Sequence, residues 1–386
     1  MYYLFIFILL SLFCFLSLLE NRTSKNNYYY WIIFFFFVFT AGLRFETGTD
    51  YFSYQKIFNQ TNSIDIFLSS GQLSEIPVEP LYALLNSIFK TLGLNLNSMF
   101  LLISFATNLI LFSSLKKYIG RYVIFALVTY FCFVYFTLDM SGIRQSIAIN
   151  IFLFAIRYIK SKSFIKYVSL VSIASLFHVS ALLCLVFYFI LDRTYKAIYL
   201  LIFLILGFFI IYLKLEFITI LIDSVLIKIF PSTAIFKLII YSNADKPWGF
   251  NIKIIFFLFI FIILLYKRKI LVKRFIYFNI VFNLLFFYLI IRMFLWESIE
   301  ISGRTIFYFI FGLILSLPML MDLIKNKKSK FLYLFFFLIF NFYQSFEFYF
   351  KTNMHNPYQN FIIHKAFNLK SSGEERLRLM GNGKND

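Results

Sequence analysis

The run YYYWIIFFFFVFTA, residues 28–41, decides the fold class, because it is apolar or aromatic except for Thr40 and then stops abruptly. The next stretch, GLRFETGTDYFSY at 42–54, brings a cation, carboxylates, glycines and hydroxyls into a few positions. Glycine lets the backbone turn tightly or approach a ligand closely, and Arg44 is able to hold a carboxylate or phosphate with two parallel hydrogen bonds. Two interpretations follow. This segment is either an anion-binding loop, with Asp50 orienting the arginine or taking a proton, or a polar loop where a helix leaves the membrane.

The composition indicates an integral membrane protein. Hydrophobic residues make up 61% of the 386, and the mean hydropathy is +0.82. The first apolar run, 2–19, lacks a basic leading segment and a small-residue cleavage site, so we interpret it as a retained helix. The net charge of +19 lies in short loops between apolar runs, which is typical of membrane topology and gives no reason to expect nucleic-acid binding.

We predict an all-α, polytopic fold with about 11–12 transmembrane helices. Residues 1–350 would form a single transmembrane domain and 351–386 an extramembrane tail. A sizeable outer loop, 44–96, would separate the second and third spans and contain a short helix at 80–93. The predicted spans are 2–19, 28–43, 97–115, 122–138, 143–160, 166–190, 197–213, 252–266, 275–293, 304–324 and 331–350.

The loop charges predict an orientation. Four loops are strongly basic and should be cytoplasmic: 116–121, 157–166, 267–274 and 325–330. The segment 44–96 and the stretch Trp296–Glu300 are acidic and should lie outside. Alternation then requires one more crossing between 166 and 252. Residues 217–230 would supply it, or 166–190 would turn back near His178.

With this orientation, the outer ends of four helices each carry an arginine, against the usual charge trend. Cations near the membrane are costly, so together they predict a site for an anion. The competing interpretation is that each arginine extends to a lipid headgroup. The four residues are Arg44, Arg144 beside Gln145, Arg292, and Arg304, which precedes Tyr308.

Other candidates have ordinary structural explanations. Glu79 precedes Pro80, which is typical of a helix start. His178 lies in an apolar run, where a histidine is more often hydrogen-bonded to a neighbouring helix than catalytic. Asn356-Pro357-Tyr358 predicts a turn. Cys14, Cys132 and Cys184 fall in apolar runs, and no spacing in the sequence suggests a metal or cofactor site.

Taken in order, these motifs resemble the EpsG family of Wzy-type polysaccharide polymerases. The resemblance covers nearly the whole chain, although 192–300 holds no matching motif and Val179 stands where such proteins often have proline. The matching pieces are Leu43-Arg44 with Gly48-Thr49-Asp50-Tyr51 and Tyr54; Glu79 with Tyr82 and Asn86; Ile143-Arg144-Gln145 with Ala148; Phe177-His178-Val179-Ser180-Ala181; Arg304 with Tyr308; and Asn356-Pro357-Tyr358.

The resemblance implies a glycosyltransferase of the bacterial cytoplasmic membrane, multi-pass and free of cofactors. It would join polyprenyl-pyrophosphate-linked oligosaccharide units at the outer face into capsule, exopolysaccharide or O-antigen. A flippase and a chain-length regulator would be its partners. The predicted roles are bases at Asp50, Glu79 or His178; pyrophosphate binding at Arg44, Arg144, Arg292 and Arg304; and sugar contact or loop shaping at Gly48, Tyr51, Tyr54, Gln145, Tyr308 and Tyr358.

Three alternatives stay open at this stage. A flippase of lipid-linked oligosaccharide would need the same anion site, open to both sides. A ligase or an acyltransferase would use the same lipid carriers, but a ligase favours a large outer loop late in the chain, whereas 44–96 comes early. A structural subunit without chemistry would not need the outer arginines.

Overall fold

The computed structural model of the chain describes residues 1–19, 28–69, 78–216, 219–220, 252–350 and 354–382. No β-strand occurs in these ranges, and the predicted all-α fold is confirmed. Two of their helical stretches are long and apolar enough to cross a membrane, Tyr2–Leu19 and Leu96–Tyr135, and several shorter helices are also apolar. The chain is a multi-helix membrane protein, since helices satisfy their own backbone polar groups in lipid.

The described helices agree with most of the predicted spans. In chain order they are α1 (Tyr2–Leu19), α2 (Tyr28–Gly42), α3 (Tyr51–Gln60), α4 (Ile64–Ser69), α5 (Pro80–Thr91), α6 (Leu96–Ile119), α7 (Val123–Tyr130, continued by a π-helical turn to Tyr135), α8 (Ile143–Lys160), α9 (Phe164–Ser175), α10 (Phe187–Ile190), α11 (Ala197–Tyr212), α12 (Ile252–Arg274), α13 (Phe278–Phe294), α14 (Ile299–Phe309), α15 (Phe311–Leu323), α16 (Lys327–Phe350), α17 (Phe361–Ala366) and α18 (Gly373–Asn382).

The chain divides into two compact units. The first comprises Met1–Ala155, Val168–Leu182 and Met321–Asp386, and the second comprises Ile156–Tyr167 and Leu183–Leu320. That 1–350 forms a single transmembrane domain stays a prediction.

Within the first unit, α6 and α7 form a hairpin. The ring of Phe37 on α2 contacts both Phe112 and Phe131, with centroid distances of 5.5 and 5.7 Å. In one straight helix those two residues would lie about 28 Å apart, because each residue rises about 1.5 Å. The chain therefore turns back near Gly120, where φ is +60°. This stretch, given above as one apolar run, therefore consists of two segments joined by a turn, and the sequence prediction also places two segments here, 97–115 and 122–138.

One end of the first unit, which we call the basic end, carries the loops 116–122 and 322–330. Arg121 forms a 2.6 Å ion pair with Asp322, which brings these two loops together. The start of α2 lies here as well, because the Lys116 ammonium sits 4.9 Å from the ring of Tyr30. The remaining cations of the two loops are Lys117, Lys325, Lys327, Lys328 and Lys330.

The opposite end, which we call the arginine end, carries residues 40–54, 79–82, 136–146 and 354–376. Here α2 stops, and Arg44 stacks 4.3 Å above the ring of Phe100 at the start of α6. Tyr2, at the start of α1, hydrogen-bonds Thr40 at 2.8 Å. Within this unit, the two basic loops thus lie at one end and Arg44 and Arg144 at the other, as the alternation of spans predicts.

The predicted outer loop 44–96 is a packed structure at the arginine end. It contains α3, α4 and α5, and α5 corresponds to the predicted short helix at 80–93. An aromatic cluster seats α3 and α5 on α6 and α8, and its burial supplies the hydrophobic free energy that holds the loop in place. The buried members include Tyr51, Tyr54, Phe58, Tyr82, Phe89, Phe100, Ile103, Ile143 and Ile147.

Two predicted spans are not single straight helices. The predicted span 166–190 breaks after α9: the carbonyl of Leu176 accepts the N–H of Leu81 at 3.1 Å, and a 3₁₀ helix, Val179–Val186, follows. The span predicted at 304–324 consists of α14 and α15, which meet at a bend of 43°. The extra crossing predicted at 217–230 lies outside the described residues except for 219–220.

The second unit is built around α13, which packs against α11, α12 and α14. The backbones of α15 and α13 approach closely at Gly312, where a Cβ would lie 2.1 Å from the Leu285 nitrogen. The Asn283 amide on α13 donates to the carbonyls of Leu191 and Arg193 at 2.7 and 2.8 Å. These bonds fix the turn after α10.

Candidate functional site

Arg144, near the start of α8, is held by three neighbours at the arginine end. Its Nη1 donates to Oε2 of Glu79 at 2.5 Å. It also hydrogen-bonds the Tyr54 hydroxyl and lies 6.0 Å from the ring centroid of Tyr82. The Arg144 side chain keeps 27% of its surface exposed and Glu79 keeps 16%. The pair is thus fixed in position yet reachable from solvent.

Two helix starts explain why these charges meet. Glu79 has extended backbone angles, as expected for a residue before proline, and Pro80 opens α5. Arg144 is the second residue of α8, where the helix dipole disfavours a cation. The carboxylate of Glu79 offsets that cost. A bound phosphate oxygen would do the same, because an arginine presents five N–H donors.

Arg44 occupies a different environment, because its side chain is only 1% exposed. It stacks on Phe100, and its Nη1 donates to the Ala41 carbonyl. Its Nε and Nη2 have no hydrogen-bond partner in the described part of the chain. The adjoining cavity measures about 10 Å³, which is room for one water and not for a pyrophosphate. Of the two arginines in this unit that the sequence predicted as anion-binding, Arg144 is the more exposed one.

Asp139 lines the same small cavity as Arg44 and was not among the residues predicted from sequence. Its carboxylate accepts hydrogen bonds from the hydroxyls of Tyr130, at 2.9 Å, and Ser146. Burial raises the pKa of Asp139 to about 6, while these bonds and the charge of Arg44 act in the opposite direction. One signal was present, since no other acidic residue occurs between Glu79 and Asp192.

The loop 42–54 is anchored to the turn that precedes α8. Gly48 has φ of +103°, and a Cβ there would lie 1.9 Å from the carbonyl oxygen of Met140. The N–H of Thr49 donates to the Ser141 hydroxyl at 3.2 Å. The sequence suggested that a glycine here allows a tight turn or close approach to a ligand. In the structure, the Gly48 backbone instead lies close to the backbone of Met140. This contact fixes the spacing between Arg44 and α8.

Residues 27–361 match the EpsG family. The chain belongs to the EpsG family. No curated protein and no solved structure matches it. Membership, together with the apolar helices, indicates a membrane protein of polysaccharide biosynthesis.

The EpsG match ends at residue 361, yet the chain beyond it also reaches the site. Segment 354–361 pairs with the end of α2 through two backbone bonds of 2.8 Å, from Phe45 to Gln359 and from Phe361 to Leu43. Arg376, on α18, then donates to the carbonyl of Glu46 at 2.8 Å and to that of Pro357 at 3.0 Å. The predicted extramembrane tail thus holds the loop that follows α2.

His355 is the second site residue that sequence reasoning missed, because its motif indicated only a turn. It is 1% exposed, and its Nε2 lies 3.3 Å from the Phe136 carbonyl and 3.4 Å from the Ser141 hydroxyl. Burial is the main reason why the pKa of His355 falls to about 4, and the positive charges of Arg44 and Arg376 act in the same direction. The imidazole is therefore neutral at pH 7.

Several predicted site residues hold the arginine end together. Asp50 occupies the N-cap position of α3, and its carboxylate accepts the Thr49 hydroxyl at 3.2 Å. The Tyr51 hydroxyl donates to Asn97 at 3.4 Å. Tyr358 donates to the Thr40 carbonyl at 3.1 Å and stacks on Tyr2, and Gln145 is buried on α8. These contacts tie Tyr358 to the end of α2 and the start of α1, and its role in sugar contact or loop shaping stays a prediction.

His178 lies at the break between α9 and the 3₁₀ helix and is 8% exposed. Its Nδ1 is 2.6 Å from the Ser180 hydroxyl. The neighbouring Phe177 packs against the aromatic cluster. A catalytic role for His178 stays a prediction.

The remaining predicted residues belong to the second unit. Arg292 on α13 is 3% exposed, and Tyr308 on α14 is fully buried. Arg304 pairs with Glu300 one helical turn earlier at 3.3 Å, with both side chains partly exposed. That these two arginines meet Arg44 and Arg144 around one substrate stays a prediction.

The described residues contain no group of three or more His, Cys, Asp or Glu side chains placed to hold a metal ion. Cys14, Cys132 and Cys184 are buried and free.

Proposed function

We propose that this EpsG-family chain is a Wzy-type polymerase. It joins oligosaccharide repeat units carried on polyprenyl pyrophosphate into a surface polysaccharide at the outer face of the bacterial cytoplasmic membrane. The observation that carries the proposal is the fixed and accessible Arg144–Glu79 pair at the arginine end of the first unit. This pair combines an anion-binding cation with a proton acceptor, which are the two functions that the reaction requires.

The distribution of charge supports the proposed sidedness. Loops rich in lysine and arginine lie on the cytoplasmic side of bacterial membrane proteins. The basic end holds two such loops, so the arginine end would face outward. Lipid-linked repeat units would reach it there after a flippase has moved them across the membrane, and a chain-length regulator would limit the product.

The proposed reaction is a glycosyl transfer. A hydroxyl oxygen of one lipid-linked unit attacks the anomeric carbon of the growing chain, and a new C–O bond forms. The bond from that carbon to the pyrophosphate oxygen breaks, and the lipid pyrophosphate leaves with the electron pair. Preorganised cations lower the barrier by stabilising the charge that develops on the leaving group. Arg144 supplies this stabilisation, and Arg292 and Arg304 are further candidates in the second unit.

The hydroxyl proton needs an acceptor close to the cation that binds the leaving group. Glu79 fits best, because its carboxylate is already 2.5 Å from Arg144. Asp50 and His178 are the other candidates, and both stand within motifs of the family resemblance. Arg44 and Asp139 act behind this pair, since the cavity that they share is too small for substrate.

The test is the glycan profile of cells that carry the Arg144→Ala protein. The proposal predicts loss of long chains, with single lipid-linked units still displayed on the outer surface, because export continues while joining stops. Arg121→Ala, at the basic end, is the matched control and should leave the chain-length distribution unchanged.

A different profile would lead to a different function. Lipid-linked units trapped on the cytoplasmic side in the Arg144→Ala cells would indicate a flippase and would overturn the polymerase proposal. Wild-type polymer from Arg144→Ala cells would remove this arginine from the chemistry.

A further inference from the structure

The second unit contains a cavity that the proposed polymerase reaction does not use. Its volume is about 350 Å³, large enough to enclose a phosphate-containing headgroup. It lies where the loop after α8 meets the turn after α10, within the basic loop 157–166 predicted to be cytoplasmic. The residues that line it are Ile159, Lys162, Tyr188, Phe189, Asp192 and Arg193.

The charge at this cavity is positive. Lys160 donates to both carboxylate oxygens of Asp192, at 3.1 and 3.2 Å, and so neutralises the one acid that lines the cavity. Lys162 and Arg193 then contribute two positive charges at the rim. The Arg193 guanidinium is oriented by a 3.0 Å bond from its Nε to the Phe189 carbonyl.

A further basic segment adjoins the cavity within the same unit. Arg268 on α12 donates from Nη1 to the Tyr195 carbonyl at 2.7 Å, two residues beyond Arg193. This contact brings the cations of the loop 267–274 toward the turn that holds the cavity. The local potential therefore favours an anion, with Lys267, Arg268, Lys269, Lys273 and Arg274 adding to it.

The surroundings of the cavity are apolar and exposed. Phe189, in the cavity wall, is 56% exposed, and the neighbouring Phe164 and Ile165 are 46% and 79% exposed. The rings of Phe164 and Phe189 are in contact, with centroids 5.7 Å apart. A free phosphate ion would make no contact with this apolar surface, whereas the acyl chains of a phospholipid would cover it.

We propose that this cavity binds the headgroup of an anionic phospholipid. Lys162 and Arg193 contact the phosphate, and the acyl chains lie along Phe164, Ile165 and Phe189. Basic cavities between helices at a membrane surface recognise anionic lipids through this combination of charge and apolar surface. The site would tie the protein to anionic membrane regions, and it is independent of the polymerase proposal.

The experiment measures lipid binding to the detergent-solubilised full-length protein by native mass spectrometry. Phosphatidylglycerol and phosphatidylcholine of identical acyl chains are titrated in parallel. The proposal predicts preferential retention of phosphatidylglycerol. In the double variant Lys162→Gln/Arg193→Gln, its affinity should fall about 30-fold, which corresponds to the loss of two cations near a lipid surface.

Lys327→Gln/Lys328→Gln is the matched control, because it removes two exposed cations from the first unit. It should change the affinity by less than about threefold. Equal retention of the two lipids by the wild type, or equal losses in the two double variants, would overturn the proposal. Displacement of phosphatidylglycerol by inorganic phosphate at similar concentration would identify a free-anion site instead.

If the double variant does not fold, two other measurements still test the lipid-binding proposal. One is the wild-type preference between the lipids. The other is the single variant Lys162→Gln, at an exposed position, which should weaken phosphatidylglycerol binding about fivefold. Unchanged binding in that variant would overturn the proposal.

Discussion

Both ends of the first unit carry arginines, but the two ends differ in how far these side chains are exposed and how firmly their neighbours hold them. At the basic end, Arg121 pairs with Asp322 while 57% of its side chain stays exposed, and the lysines of both loops are largely solvated. At the arginine end, Arg44 is 1% exposed and Arg144 is held by a carboxylate, a hydroxyl and a ring. Exposed ion pairs contribute about 0–1 kcal/mol, so substitutions at the basic end should cost little stability.

The difference separates a charge that acts through the side of the membrane on which it lies from a charge that the fold holds in one geometry. Positive charge in a cytoplasmic loop sets the membrane orientation through its sign and the side on which it lies, and the exact position of the side chain does not matter. A buried or clamped arginine acts by its geometry, and the surrounding chain has to maintain it. The residues that keep this geometry in place include Gly48, Asp139, His355 and Arg376.

The two ends should differ most in their accessibility from outside the cell, which a labelling experiment measures. Thr49→Cys at the arginine end and Lys328→Cys at the basic end are both exposed positions, and the three native cysteines are buried. In intact cells, a membrane-impermeant thiol reagent should label the first variant and not the second. Labelling of Lys328→Cys in sealed cells would invert the orientation and remove the arginine end from the outer face.

A glycine pair tests how closely each end is packed. Gly48→Ala would place a methyl group 1.9 Å from the Met140 carbonyl at the arginine end, whereas Gly120→Ala meets nothing within 4 Å at the basic end. The first should cost more than about 3 kcal/mol. The second should cost only its backbone strain, about 1–3 kcal/mol.

The measurement for this pair is the midpoint of thermal unfolding in detergent, with the polymer yield of the same cells. Both glycines have positive φ, so the strain common to the two substitutions largely cancels in the comparison. Equal midpoints for the two variants would show that the loop approach at Gly48 is not tight in the folded protein.

Removing Arg376 should release the segment that braces the arginine end. Arg376→Ala deletes charge-assisted bonds to the carbonyls of Glu46 and Pro357, each worth roughly 1.5–3 kcal/mol. Limited proteolysis should therefore cut within 354–382 at least about tenfold faster. Arg378→Ala, at an exposed position two residues along, is the control and should behave like the wild type. Identical digestion rates for the two variants would refute the bracing role.

The smallest expected effect is a pH dependence of stability from His355. Its folded pKa of about 4 lies below the usual value near 6.5, so its contribution is complete above pH 6.5 and is lost as pH falls toward 4. At pH 5 the loss should be about 2 kcal/mol. His355→Gln does not titrate and should lose less stability between pH 7.5 and pH 5.

Asp139 contributes to the pH dependence of stability with the opposite sign. Comparison of His355→Gln with the wild type separates the contribution of His355 from it. The raised pKa of Asp139 makes the folded state bind a proton more readily, which adds stability as pH falls through about 6. That contribution is present in both proteins. Parallel curves of unfolding midpoint against pH would contradict the assignment to His355.

The spans were predictable from sequence because hydrophobicity and length are local properties of the chain. The break after Ser175 entered the sequence analysis only as an alternative, a turn near His178, because no local pattern marks the bond from the Leu81 N–H to the Leu176 carbonyl. The packing of the predicted outer loop could not be predicted either, because the aromatic cluster brings together residues of α3, α5, α6 and α8, which are far apart in the sequence.

The candidate site was predictable as a set of charges and not as a set of contacts. Arg144 and Glu79 were separate candidates, and only the fold pairs them across 65 positions. Arg44 looked equivalent to Arg144, yet burial distinguishes the two. Asp139, His355 and Arg376 were missed because their significance lies in tertiary neighbours, which no local pattern encodes.

The most direct test of the account is chain joining by the purified protein. Lipid-linked repeat units extracted from the host are incubated with the wild type, with Arg144→Lys and with Arg121→Lys, and polymer and released lipid pyrophosphate are measured together. Lysine cannot reproduce the two-pronged fork of arginine, so Arg144→Lys should be about 100-fold slower, while Arg121→Lys should stay within about threefold of the wild type. Equal rates for all three proteins, or no joining by the wild type, would contradict the account.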